Sequence, residues 1–302
     1  MKHTLKIFII LFVLLFAVSC VPEAAPPSSP KPVPLPDSPV EPSPREQTGE
    51  LLMRVVNTGK SDCLIFAYRD GRALMVDTGR KKDFDKIDEA LKQLGVSELQ
   101  AVILTHGHKD HAGGLKKLLG KYPSKTVYTS SLDYSTFSAK ELDSISEAGA
   151  EHALLSKGDV LEFGEANFIV LAPAVADPKE ENNNSLVIRV LYGDTAFLLM
   201  GDALLETEQD IVNICYDLGA DVIKLGHHGQ DDATSAALLD AVKPSYAVIT
   251  GNRAEDDDIP GKRVAALLDQ KEIPYYMNEG DHLAVDFISD GSVTSAKKVY
   301  VR

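Results

Sequence analysis

The stretch Leu99 to Leu119, LQAVILTHGHKDHAGGLKKLL, constrains this chain more than any other. Ala101 to Leu104 is a short apolar run that reads as a buried strand. It ends in Thr105, and His106, His108, Asp110 and His111 follow before Gly113, Gly114 and a helix marked by Leu115, Leu118 and Leu119. Four ligand-type side chains leave one strand end within six residues, and three of the chain's eight histidines are among them. A solvated loop has no need of that concentration. Gly107 lets the backbone turn His106 and His108 the same way. Imidazole and carboxylate are the donors that zinc-like ions take. Ligands packed this closely point to more than one ion: His106 with His108 could hold one, and Asp110 with His111 the other.

A second loop repeats the design. Asp221 to Leu225 reads as a strand and ends in Gly226-His227-His228-Gly229. Ala196 to Met200 is an apolar strand that runs into Gly201 and Asp202, with a helix over Leu204 to Leu218. Further strands are predicted over Leu51 to Val56, Cys63 to Tyr68, Arg72 to Val76, Thr126 to Thr129, Glu162 to Leu171, Leu186 to Leu191, Tyr246 to Thr250, Ile273 to Met277 and Ala284 to Ile288. Helices are predicted over Asp83 to Leu94, Ser138 to Ala148 and Arg263 to Gln270. Gly59-Lys60-Ser61 is not a phosphate loop, because the upstream glycine that motif needs would fall at Arg54. His152 and His282, each alone, read as structural.

The segment Thr105 to Gly114 resembles the H-x-H-x-D-H motif of metallo-β-lactamase fold hydrolases. Asp62 at the end of a turn, Asp77-Thr78-Gly79, the asparagine run before Ser185-Leu186-Val187, and DVIKLGHHG over 221–229 narrow the resemblance to the soluble hydrolase domain of the competence protein ComEC. The resemblance implies a four-layer αβ/βα sandwich and a site holding two divalent metal ions, zinc or manganese. It assigns the metal ligands to His106, His108, Asp110, His111, Asp202, His227 and His228, and the catalytic centre to Asp110, Asp202 and His228. Asp202 matches the family's bridging carboxylate, with one oxygen on each metal. Asp62 and Asp77 would orient ligands, and Asn184 or Ser185 would contact substrate or water. Which of His227 and His228 serves which ion is open. The chain departs from the pattern twice: no third-motif histidine precedes Leu186, and Ile259 stands where the family carries a histidine before proline.

Met1 to Ser19 carries Lys2 and Lys6 and then an apolar run, Ile7 to Val18, that is too short for a membrane span. It reads as a signal peptide. Ala17-Val18-Ser19-Cys20 resembles a bacterial lipobox, so lipidation is expected at Cys20. Residues 20–48 then form a proline-rich tether that cannot bury enough surface to fold. Residues 49–302 form one hydrolase domain. The chain is thus expected to be exported and lipid-anchored to the membrane or cell envelope. Cys63 and Cys215 read as buried free thiols.

The net charge of −14 does not favour a broad nucleic-acid footprint, and the acidic run Glu255 to Asp258 would repel a polyanion. The resemblance nevertheless favours a phosphodiester substrate, in DNA or in the cell envelope. The alternative is a surface binding protein that keeps the fold with little or no catalysis, including a DNA-uptake accessory. The absent histidine and Ile259 sustain it.

Overall fold

Strand β2 (Leu64–Tyr68) is buried along its whole length, and successive side chains enter two different cores. Leu64, Phe66 and Tyr68 face one cluster, while Ile65 and Ala67 face another. This is the period-2 geometry of a strand covered on both faces. Strand β10 (Thr195–Leu199) does the same, with Phe197 and Leu199 in the first cluster and Ala196 and Leu198 in a third. Two sheets therefore share one core and each carries helices outside.

The computed structural model describes residues 49–132, 137–214 and 217–301. The leader, Cys20, the proline-rich tether and Cys215 lie outside the described residues. Cys63 is buried as a free thiol. The first sheet has eight strands in the order β15 (Thr294–Val299), β14 (Ala284–Ser289), β1 (Leu51–Val56), β2, β3 (Ala73–Val76), β4 (Leu99–Ile103), β5 (Ser124–Ser130), β6 (Glu151–Leu155). The second has seven: β13 (Tyr275–Met277), β12 (Tyr246–Ile249), β11 (Val222–Lys224), β10, β9 (Val187–Tyr192), β8 (Ala166–Ala172), β7 (Val160–Phe163). Helices α1 (Phe84–Gln93), α3 (Leu115–Leu119) and α4 (Ala139–Glu147) send Leu91, Leu118 and Ile145 onto the outer face of the first sheet; the short α2 (Lys109–Ala112) precedes α3. Helices α5 (Leu205–Ile214), α6 (Ala236–Val242) and α7 (Lys262–Gln270) cover the second with Ile211, Leu239 and Leu268. The four-layer αβ/βα expectation holds.

Between the sheets, the Phe66 ring meets Phe168 at 4.9 Å and Phe197 at 5.9 Å, both edge-on. Such pairs add about 0.5–1.5 kcal/mol beyond burial. Arg54 and Asp286, both buried, form a bidentate pair at 2.7 and 2.9 Å, and Arg54 also donates to the Ala90 carbonyl. That joins β1, β14 and α1.

The expected strand over Glu162 to Leu171 is instead a hairpin, β7 and β8, turning at Gly164 in the left-handed region (φ 60°). Strands β6 and β15 and helix α6 were not predicted. Each of the two strands is an edge strand with few fully buried positions, so the apolar signal is weak. Strands β3 and β4 run parallel, as do β10, β11 and β12. The loops after their carboxyl ends carry nearly every residue of the site.

Candidate metal centre

The histidine loop is clamped by the turn that follows β3. Thr78 donates from its backbone N–H and its hydroxyl to the His111 carbonyl, at 2.6 and 2.9 Å. The Gly114 N–H donates to the Gly79 carbonyl at 2.8 Å. A Cβ on Gly114 would stand 2.1 Å from the Thr78 carbonyl oxygen, so only glycine allows this approach. Asp77, buried and left-handed (φ 59°), accepts from the Thr105 N–H and hydroxyl at 2.8 Å each, and its Oδ2 lies 2.7 Å from His111 Nδ1.

Each histidine is oriented through one ring nitrogen, which leaves the other for a ligand. Nδ1 of His111 donates to Asp77, and Nδ1 of His228 lies 3.1 Å from the Thr250 carbonyl. Nδ1 of His106 sits 3.2 Å from Thr105 Oγ1 and 3.3 Å from Ser185 Oγ. His108 is turned the other way: its Nε2 lies 3.0 Å from Glu181 Oε2, leaving Nδ1 as the lone-pair nitrogen. The His106 ring centroid is 4.5 Å from His108 and 4.1 Å from His111, and His111 is 5.4 Å from His228.

The freed nitrogens converge on one carboxylate oxygen. Oδ2 of Asp202 lies 3.8 Å from His106 Nε2, 3.1 Å from His111 Nε2 and 3.4 Å from His228 Nε2. Those three nitrogens are buried and have no well-directed hydrogen bond among the described residues. Asp110 Oδ2 stands 3.4 Å from His228 Nε2. Two donor sets result: His106, His108 and Asp202 on one side, and on the other His111 and His228, which both meet Asp202 through Nε2, His228 meeting Asp110 as well, and which form a second compact group with Asp62. Buried, undersatisfied imidazoles around a shared carboxylate fit divalent ions. In this structure Oδ2 is the Asp202 oxygen nearest to all three of these nitrogens, so a single oxygen faces both sets.

Asp62 also lies near His111 and His228, but on their Nδ1 sides, at 3.9 and 3.3 Å. A fully buried lysine, Lys224, fills that position: its ammonium is 2.5 Å from Asp62 Oδ2, 3.6 Å from Asp202 Oδ1 and 2.7 Å from the Gly201 carbonyl.

The charges of the site act on one another. Burial alone would lower the His228 pKa, but Asp202, Asp110 and Asp62 push it up to about 10. His111 is likewise pulled down by burial and then held well above the usual histidine range by Asp202, Asp77 and Asp62. Burial and the His111 charge keep His106 well below that range. Burial opposes ionisation of Asp202, yet His111 and His228 hold its carboxyl far down.

His227 is not gathered with these donors. Its Nδ1 lies 2.9 Å from Asp232, and its ring centroid is 6.1 Å from that of His228. Both histidines adopt left-handed backbone (φ 42° and 56°), which costs about 1–2 kcal/mol per residue. A Cβ on the preceding Gly226 would lie 2.4 Å from the Ala203 carbonyl oxygen, so the loop is pressed against the segment that carries Asp202. Asn184 is turned away as well, exchanging hydrogen bonds with the Asp177 backbone. Its neighbour Asn183 accepts from the Leu204 N–H and Thr207 at the start of α5. Ser185 accepts from the Asp202 N–H at 3.1 Å. Ile259 is a core residue packed against Gly251. The acidic run is partly neutralised, with Glu255 on Arg80 and Asp256 on Lys60, both at 2.7 Å. Sequence reasoning missed Lys224, Glu181 and Thr250. Lys224 had a signal, a lone charge inside the apolar run Val222 to Leu225.

The family model of the metallo-beta-lactamase superfamily matches residues 56–250, and the chain belongs to that superfamily. ComE operon protein 3 of Bacillus subtilis is 32% identical over 180 residues, which cover 59% of this chain and 23% of the relative. Competence protein ComA of Neisseria gonorrhoeae is 29% identical over 185 residues, 61% of this chain and 24% of the relative. The chain thus spans about a quarter of the length of these relatives. Among solved structures, the metallo-beta-lactamase fold protein YhfI from Bacillus subtilis superposes with TM-score 0.51 at 13% identity, covering 76% of this chain and 96% of that one. CmlA from Streptomyces venezuelae, a diiron β-hydroxylase, gives 0.52 at 12%, covering 85% and 55%. These two likenesses concern the fold.

Proposed function

We propose that this chain is a dinuclear metal hydrolase that cleaves phosphodiesters, in DNA or in a cell-envelope polymer, outside the cytoplasmic membrane. One observation carries the reading: three buried imidazole nitrogens meet the same Asp202 oxygen from two sides. His106, His108 and Asp202 would hold one ion, and Asp110, His111, His228 and Asp202 the other. Zinc or manganese bound there would lower the pKa of a water toward neutrality and offset charge developing on the attacked group. The chain's own part is to fix the donors. Asp77, Thr250, Ser185 and Glu181 each engage one ring nitrogen, which orients the ring and turns its other nitrogen toward where an ion would sit. His108 and Asp110 are the partly exposed members of the site. The names of the relatives, a competence protein among them, support a substrate connected with DNA.

The leader, the lipobox at Cys20 and the proline-rich tether support export and anchoring by lipid. No helix among the described residues is long and apolar enough to cross a membrane. Hydrolysis of a chromogenic phosphodiester and of single-stranded DNA, with manganese or zinc supplied, tests the reading. Turnover that chelator abolishes and metal restores is expected. Binding of DNA without turnover under any metal would favour a binding protein instead.

A further inference from the structure

Lys224 is a buried cation set against the carboxylates of the site. It lies on β11 with 1% of its surface exposed, and burial of an ammonium is costly unless it is paired. Its partners are Asp62 Oδ2 at 2.5 Å, the Gly201 carbonyl at 2.7 Å and Asp202 Oδ1 at 3.6 Å. Asp62 meets His111 and His228 on the side of their Nδ1 atoms and Asp202 meets their Nε2 atoms, so Lys224 links the two carboxylates that flank these rings.

We propose that Lys224 is a positioning residue, a built-in cation that turns Asp202 so that Oδ2 alone meets both donor sets and that keeps Asp62 from becoming a ligand. The inference rests on the dinuclear reading above. Without the ammonium, Asp202 could rotate to offer one oxygen to each side, and Asp62 would be a buried carboxylate beside two histidines with no counter-charge. Either change would alter the donors that the two sets present. Spin coupling between two paramagnetic ions depends on the atoms they share, so it would read such a change.

The test uses the full chain loaded with manganese, read by electron paramagnetic resonance and by elemental analysis. The variants are Lys224→Met, Asp62→Asn and the charge-balanced pair Asp62→Asn/Lys224→Met. The parent should hold two ions with a spin-coupled spectrum, and Asp62→Asn, which keeps the ammonium, should hold the same. Lys224→Met alone leaves Asp62 unbalanced and should lower the melting temperature of the metal-free protein. The double variant should regain that thermal stability yet lose the coupled spectrum and bind the second ion roughly 10- to 100-fold more weakly. A double variant with parental coupling and affinity would show that Lys224 serves the fold only, and would overturn the proposal. Loss of coupling in Asp62→Asn alone would overturn it too. A parent with fewer than two ions would overturn this inference and the dinuclear reading together, before any variant is compared.

Discussion

Oδ2 of Asp202 lies 3.1 Å from Nε2 of His111, and the ring is held there from behind by Asp77, 2.7 Å from Nδ1. The first carboxylate is shared by both donor sets, whereas the second touches one ring. Asp202→Ala should therefore abolish hydrolysis and release at least one ion. Asp77→Asn, which suits the left-handed backbone, should cost roughly 10- to 100-fold in metal affinity. Elemental analysis with turnover of a chromogenic phosphodiester checks both. Near-parental activity in Asp202→Ala would remove the bridge from the account.

The two adjacent histidines should behave differently. His228 is buried among the donors, while His227 is partly exposed and paired with Asp232. His228→Ala should lose an ion, and His227→Ala should keep two. Metal content after dialysis decides this, and the reverse result would exchange their roles.

Asp88 on α1 gives a pH signature away from the site. Lys121, Lys92 and the Tyr122 hydroxyl lie 2.5, 2.7 and 2.7 Å from its carboxylate. Burial acts against ionisation, but these partners hold its pKa down to about 2. A carboxyl depressed in the folded state stabilises above its unfolded value of about 3.9, and the contribution fades as pH falls from there toward 2. Solvent screening limits it to under about 1 kcal/mol. Asp88→Asn should be less stable than the parent at pH 7, with the gap narrowing below about pH 4 in urea unfolding. A gap that stays constant would reject the linkage.

Cys20→Ala should move the chain from the detergent phase to the aqueous phase, because the lipid is the expected attachment. Equal partitioning of parent and variant would exclude a lipid anchor at that cysteine.

Much of the fold was legible because strands covered on both faces are continuous apolar runs. Leu64 to Tyr68 and Ala196 to Leu199 announce themselves this way. Strand β15, with Lys297 and Lys298 at a sheet edge, carries no such signal. At the site, the histidine loop could be read because its donors are neighbours in sequence. The partners that orient the rings could not, since Glu181 lies 73 positions from His108 and Thr250 lies 22 from His228. The split between His227 and His228, and between Asn183 and Asn184, depends on backbone direction within one turn, which residue identity does not encode. Lys224 was legible in principle: a charge inside a buried strand demands a counter-charge, and the nearby aspartates are what supply it.

The most direct test of the account is the metal content of the full chain, reconstituted with manganese or zinc and freed of excess ion. Two ions per chain, falling to one or none in Asp202→Ala while circular dichroism is unchanged, is the predicted result. One ion per chain with full hydrolytic activity would contradict the dinuclear site.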